Sequence, residues 1–402
     1  MGHPKTKTKT KTDPSPLKGI RDDSVHIASK VPLLQMLEHL SYPCCVNRGM
    51  ADMKKIFVLA AGICFCAATF IYGRAAGETT PAPERSFEFT YEVHVPAPAA
   101  GAGAVRVWIP VPVSSAYQEI SDLKIESPVA FTRTRDTEYG DNFAYFEEKA
   151  DNAAAFDVKM HFNVLRHEHR VSLTSVANHG ATPDPMLARF LQPDRLVPIN
   201  GQIGELSKEQ TQVGSDNLDK ARRTYEYVIK TMKYDKTGDG WGHGDAVWAC
   251  TSKRGNCTDF HSVFIGMLRA AGIPAKFEIG FPIPADKTAA DIPGYHCWAE
   301  FYLDGVGWVP VDASEAWKHP ELHDYFFGAH DANRVQFSTG RDIRLNPAQK
   351  GDPLNYAVYP YAEQGGKVFE GVTTHFSFRD LPAAEKKTTA ETLKPGADSS
   401  TR

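Results

Sequence analysis

Two stretches decide the reading: GNCTDFHSVFIGMLRAAGIPAKFEIGF (residues 255–281) and YHCWAEFYLDGVGWVPVD (residues 295–312). In the first, Asn256 is a suitable helix N-cap and Asp259 stands three residues on, a capping arrangement. Phe260, Phe264, Met267 or Leu268, and Ala271 then fall on one helical face, and Gly272 and Pro274 stop the helix. AKFEIGF alternates as a strand. The second stretch reads as a hairpin, HCWAEFYL and WVPVD around Asp304-Gly305-Val306-Gly307. A helix followed by antiparallel strands predicts an α+β core with the helix packed on the sheet.

The helix opens on Cys257. A thiol in a first turn meets unpaired backbone N–H groups and the positive end of the helix dipole, and both favour thiolate. The same N–H groups suit a developing oxyanion. A thiolate nucleophile needs an imidazole, and His296 is the candidate; the imidazole needs an acceptor at its far nitrogen, and Asp312 supplies one. Each residue has a bland alternative: a buried small hydrophobe, a satisfied strand histidine, a turn-capping aspartate. The hairpin makes the triad testable. With a three-residue loop at 304–306, Leu303 opposes Gly307 and Asp312 opposes Trp298, so His296 and Asp312 share a face as a diagonal pair. A two-residue loop at Gly305-Val306 puts them on opposite faces.

Outward from this core, Leu218, Ala221, Tyr225, Val228 and Met232 recur at helical spacing behind a cap at Ser215 or Asp216. Gly238 to Gly244 reads as a flexible loop at the rim of a cleft; no GK[ST] follows it, so a phosphate loop is not indicated. Residues 181–214, rich in Pro and Gly, read as a connection. From 85 to 180 the short alternating runs FEFTYEVHV, VRVWIPVPV, FDVKMHFNV and HRVSL predict a small antiparallel β-sandwich. Residues 215–379 form the expected catalytic domain, and the polar stretch 380–402 is expected to be disordered.

The front of the chain is unusual. Residues 1–52 contain KTKTKTKT and are expected to be a disordered or non-native extension. At 53–76, Lys54 and Lys55 precede an apolar run from Ile56 to Tyr72 and small residues at Ala75 and Ala76, the pattern of a signal peptide or an uncleaved signal anchor. We expect a true start at Met50 or Met53 and export to the periplasm or the extracellular space, with membrane attachment only through that anchor. A buried core helix is the bland alternative.

The whole chain has 402 residues, 42% hydrophobic, with 45 Lys+Arg against 49 Asp+Glu. Without residues 1–76 the balance is 34 to 44, a net charge of -10. Such a balance disfavours nucleic acid and anionic membranes as partners. Four of seven cysteines lie in the first 66 residues, so no disulfide scaffold is built. Cys250 and Cys297 could pair in an oxidising compartment, or Cys297 could pack in the core.

The two stretches together resemble the transglutaminase-like superfamily, relatives of papain-type cysteine enzymes. The resemblance rests on a Cys opening a helix, the RAAGIPA exit, the His296-Cys-Trp298-Ala-Glu300 strand and the Gly307-Trp-Val-Pro-Val-Asp312 strand. It implies a papain-like core preceded by a β-sandwich of the kind found in bacterial relatives. It also implies Cys257 as nucleophile, His296 as base and Asp312 as orienting acid. The expected activity is attack on an amide carbonyl through a Cys257 thioester, by a peptidase or amidase acting on peptide or cell-envelope material. Transglutaminase cross-linking is the alternative, and a noncatalytic binding or scaffold module is a third reading from a different class. No cofactor or metal is called for. A zinc site of His261, His296 and Cys297 is imaginable, but no CxxC or HExxH pair supports it. Trp241 and Trp248 could assist an oxyanion, though packing is the default. Arg334, Arg341 and Asp342 could meet a substrate carboxylate, with structural ion pairs the default.

Overall fold

The structure is a computed structural model that describes residues 83–99, 101–149, 154–173 and 185–382. The expected N-terminal extension, the signal-like segment and nearly all of the C-terminal tail lie outside these residues. No helix among those described is long and apolar enough to cross a membrane.

Alternation builds the front half. β1 (Glu84–Val95) buries Phe87, Phe89, Tyr91, Val93 and Val95 on one face, and β6 (Phe156–His167) answers with Phe156, Val158, Met160, Phe162 and Val164. They pair antiparallel, Phe89 opposite Phe162, inside a five-stranded sheet ordered β11 (Ala289–Asp291), β18 (Thr373–Asp380), β1, β6 and β3 (Gln118–Glu126). A second five-stranded antiparallel sheet is ordered β17 (Lys367–Val368), β16 (Tyr361–Gln364), β2 (Val105–Val111), β5 (Asn142–Glu148) and β4 (Phe131–Arg135). Phe146 of this sheet meets Phe156 of the first, ring centroids 6.0 Å apart, so the two face one another as the expected sandwich. β16 and β18 come from the end of the chain, in the stretch the linear reading gave to the catalytic domain and tail.

The second half is the helix-on-sheet core. α1 (Gly201–Thr211), α2 (Asn217–Thr231) and α3 (Ala246–Ser252) precede α4 (Cys257–Ala270). α1 lies where a connection was expected. Its helical form rests on packing more than on propensity: Ile203 is buried and the Ser207 hydroxyl donates to the Met267 carbonyl of α4 at 2.6 Å. α2 is capped by Asp216, whose side chain accepts from Asp219 N–H, as the pattern indicated. α4 packs on a four-stranded antiparallel sheet ordered β13 (Gly307–Val311), β12 (His296–Leu303), β10 (Ala275–Pro282) and β15 (Arg334–Thr339), with Phe264 against Phe301 at 6.3 Å. At Gly280 a Cβ would lie 1.8 Å from the Val335 carbonyl, so only glycine admits β15 there. Two short ladders complete the fold: β8 (Lys233–Tyr234) with β9 (Arg254–Gly255), and β7 (His169–Arg170) with β14 (Ala329–His330).

Sandwich and helix-on-sheet core fold as one compact unit over the described residues. Phe281 of β10 sits 4.3 Å from Phe376 of β18 and 5.3 Å from Phe89 of β1, so one apolar cluster runs through both.

Candidate active site

The hairpin adopts the register that the three-residue loop requires. Leu303 opposes Gly307 and Ala299 opposes Val311, with Val306 N–H donating to the Leu303 carbonyl. His296 and Asp312 therefore share a face, and His296 Nε2 lies 2.7 Å from Asp312 Oδ2. Asp312 is 0% exposed and occupies both oxygens. Oδ1 accepts from Ser314 Oγ and from Glu315 N–H, each at 3.0 Å, capping α5 (Ala313–Lys318), while Oδ2 also accepts from Arg334 Nη1 at 3.3 Å. Burial pushes the Asp312 carboxyl up, but His296 and Arg334 outweigh it and hold the group ionised, well below the usual range.

Cys257 sits at the first position of α4. The Asn256 side chain accepts from Thr258 N–H at 2.9 Å, and Asp259 reaches back to Asn256 N–H at 2.9 Å, closing the capping box. Asp259 does more than cap. It also accepts from Gly242 N–H at 2.7 Å and Gly244 N–H at 2.9 Å, tying the glycine-rich loop to α4. Arg341 and Asn355 hold the same loop through the His243 carbonyl, so the rim is fastened from both sides. Three N–H donors do not fully offset burial, which pushes the Asp259 carboxyl up to about 6.

Burial opposes ionisation of Cys257, but its neighbours override it. The Cys297 thiol and the His296 imidazole beside the sulfur pull the Cys257 thiol well below its ordinary value. For His296 burial likewise opposes the charge, and Asp312 with Cys257 lifts the imidazole to about 10. Both shifts favour one thiolate–imidazolium pair. Since Asp312 takes Nε2, Nδ1 is the nitrogen left for the sulfur. Cys257 is 2% and His296 6% exposed, so the pair lies in a low-dielectric interior.

The remaining sequence candidates fall elsewhere. Cys250, Cys257 and Cys297 are all free thiols, so the Cys250–Cys297 pairing is not made. Cys297 sits 3.7 Å from both Thr258 Oγ1 and His261 Nδ1 and beside the Cys257 thiol, a placement that strand alternation could not reveal. His261 Nε2 accepts from Ala313 N–H at 3.1 Å, which couples α4 to α5, and it does not join His296 and Cys297 as a metal group. Trp248 packs on Arg254, 5.5 Å from ring to guanidinium carbon. Arg334 bridges Asp312 and Asp331; Arg341 is buried on Ser262 and Gly244; Asp342 accepts from Arg195 N–H. All three are engaged in bonds within the protein. Two groups among the described residues have ligand atoms close enough to share a metal: His296, Asp312 and Glu315, and separately His169, Glu300 and His330.

A cysteine at the start of a helix, facing a strand histidine bonded to an aspartate just beyond the paired strand, stands in an α+β, papain-like fold. Residues 204–313 match the transglutaminase-like superfamily, and the chain carries a domain of that superfamily. A protein of uncharacterised function from Haemophilus influenzae is 32% identical over 209 residues, covering 44% of this chain and 57% of its own. YebA of Bacillus subtilis, also uncharacterised, is 31% identical over 78 residues, 17% of this chain and 11% of that one. The chain thus spans little more than half of one relative and about a tenth of the other. Among solved structures, a Cytophaga hutchinsonii protein provisionally named a cysteine protease shares the fold with a TM-score of 0.53 at 16% identity, over 75% of this chain and 92% of that one.

Proposed function

We propose that this protein is a cysteine-dependent amide hydrolase, a peptidase or amidase working through a thioester on Cys257. The observation that carries the reading is the Cys257–His296–Asp312 line, with Nε2 to Oδ2 at 2.7 Å and the sulfur beside the imidazole at a capped helix start. The Cys257 thiolate attacks the amide carbonyl carbon, and the N–H groups of the first turn of α4 receive the developing oxyanion. His296 gives its proton to the departing amine nitrogen as the C–N bond breaks, leaving the acyl group on sulfur. His296 then takes a proton from water as the water oxygen attacks the thioester, the C–S bond breaks, and the acid leaves. An amine in place of water would make the same site a transglutaminase, so the acceptor is a property of the entry path.

Peptide or cell-envelope material outside the cytoplasm suits the signal-like 53–76 segment and the acidic remainder of the chain. The test is the rate of thiol alkylation against pH for the wild type and for His296→Ala, with the modified cysteine mapped by mass spectrometry. Fast labelling of Cys257 well below the ordinary thiol range, lost in His296→Ala, is expected. An ordinary thiol titration in the wild type sinks the proposal.

A further inference from the structure

The face of β12 that carries His296 continues through Trp298 to Glu300, and beneath it lies a polar cluster that the proposed reaction does not use. His169 of β7 and His330 of β14 are cross-strand partners in a two-residue ladder, and both side chains are buried with Glu300. His169 Nδ1 is 3.1 Å from Glu300 Oε1, and one donor atom from each of the three residues lies within 4.8 Å of the others. His330 is 0% exposed, and neither ring nitrogen has a hydrogen-bond partner of good geometry. A buried imidazole with no well-formed hydrogen bond is costly, and such groups call for an explanation. The Val311 carbonyl is the acceptor beside His330 that favours an N–H on one nitrogen. The other nitrogen then keeps a lone pair for the cluster, as in metal sites whose histidines are oriented through the far nitrogen.

We propose that His169, Glu300 and His330 form a buried binding site for a divalent transition metal, with zinc the ion that two imidazoles and one carboxylate suit best. Calcium and magnesium require more oxygen donors than the cluster offers. Two of the neighbouring cations are already engaged. Lys276 bonds Glu300 through Oε2 at 2.8 Å, so Oε1 is the oxygen that faces His169, and Lys276 also bonds Glu278 at 2.7 Å; Arg334 is paired with Asp331 and Asp312. Arg166, also buried, is the remaining cation near Glu300. Tyr117 stacks on His169 at 3.6 Å and Trp298 meets His330 edge-on at 5.8 Å, which fixes the ring planes. The ligands come from the end of the sandwich, from the strand bearing His296, and from the segment after α5. A bound ion would fasten the sandwich to the strand on which the imidazole stands.

The test uses the full chain carrying Cys257→Ser, so that no nucleophile thiolate can hold metal. After chelator treatment it is titrated with Zn²⁺ and with Co²⁺. One tightly held ion per chain is expected, with a raised melting temperature in zinc and a cobalt spectrum free of thiolate charge-transfer absorption. His330→Gln and His169→Gln in the same background should take up no ion and melt alike with and without zinc. No stoichiometric uptake by the parent overturns the proposal, as does uptake unchanged in both histidine variants, which would place the ion on His296, Asp312 and Glu315. If both variants fail to fold, X-ray absorption of the zinc-loaded parent decides: two imidazoles and a carboxylate support the site, and any other donor set overturns it.

Discussion

Asp312 shows how much one side chain can be asked to do. Its two oxygens hold the imidazole, cap α5 and neutralise a buried arginine. These duties separate on substitution. Asparagine keeps an N-cap acceptor but loses the charge, so Asp312→Asn should lower kcat at least about 100-fold while the fold persists. Alanine also removes the cap of α5 and leaves Arg334 with Asp331 alone, and Asp312→Ala should cost about 1–3 kcal/mol in addition. Paired steady-state kinetics and chemical denaturation separate the two outcomes. The pH dependence follows from the same contacts. His296 is raised to about 10, so the stability its ion pair supplies is complete below the ordinary imidazole value and is lost as pH rises through about 10. Cys257 is depressed, so its thiolate persists well below the ordinary thiol range. A profile of kcat/KM against pH should therefore show a broad plateau whose alkaline limb falls near about 10. An alkaline limb near the ordinary imidazole value would contradict this assignment of His296.

At the scale of elements, the hairpin sets the chemistry through a single count. Leu303 opposite Gly307 leaves three residues in the loop, and this places His296 and Asp312 on one face. Deleting Val306 should slide β13 by one residue and turn Asp312 to the other side. The expected result is an ordinary thiol titration for Cys257 with a retained far-UV spectrum; an unchanged alkylation profile would mean the register is fixed elsewhere. The nucleophile helix has a comparable constraint before its cap. Gly255 has φ +152°, and a Cβ there would lie 2.3 Å from the Asp259 carboxylate that holds both cap and rim loop. Gly255→Ala should cost about 1–3 kcal/mol and loosen the loop, readable as faster hydrogen exchange at Gly242 and Gly244.

At the scale of the molecule, the chain's end returns to its beginning. β18 pairs with β1 along Phe87 to His94, and Phe376 packs on Tyr91 at 4.5 Å and on Phe281 at 4.3 Å. The sandwich therefore cannot be completed without the residues after 360, and its core continues into the four-stranded sheet that bears His296. Phe376→Ala should cost about 3–5 kcal/mol and lower the stability of both halves together. Calorimetry of the wild type should show one transition over the described region. Two separate transitions, with only one moved by the substitution, would show that the halves unfold independently.

Much of this was legible in the order of residues. Asn256, Asp259, Gly272 and Pro274 mark the ends of the nucleophile helix because capping and breaking are local chemistry. The alternation of β1, β2 and β6 reports a half-buried sheet because side chains in a strand take turns between faces. The identity of Cys257, His296 and Asp312 followed from residue type, spacing and the family resemblance, while their meeting depended on a register that the sequence left as two alternatives. Other features required the tertiary structure. α1 has little helical pattern of its own and forms against α4. The last strand, β18, lies about 280–290 residues from its partner β1 along the chain. Cys297 meets Cys257, and His169 meets His330 and Glu300, only after separate segments pack. Local sequence determined which elements form and which carry chemistry, because caps, turns and periodicity act over a few residues. Packing alone decided what those elements touch, because burial joins residues without regard to their distance along the chain.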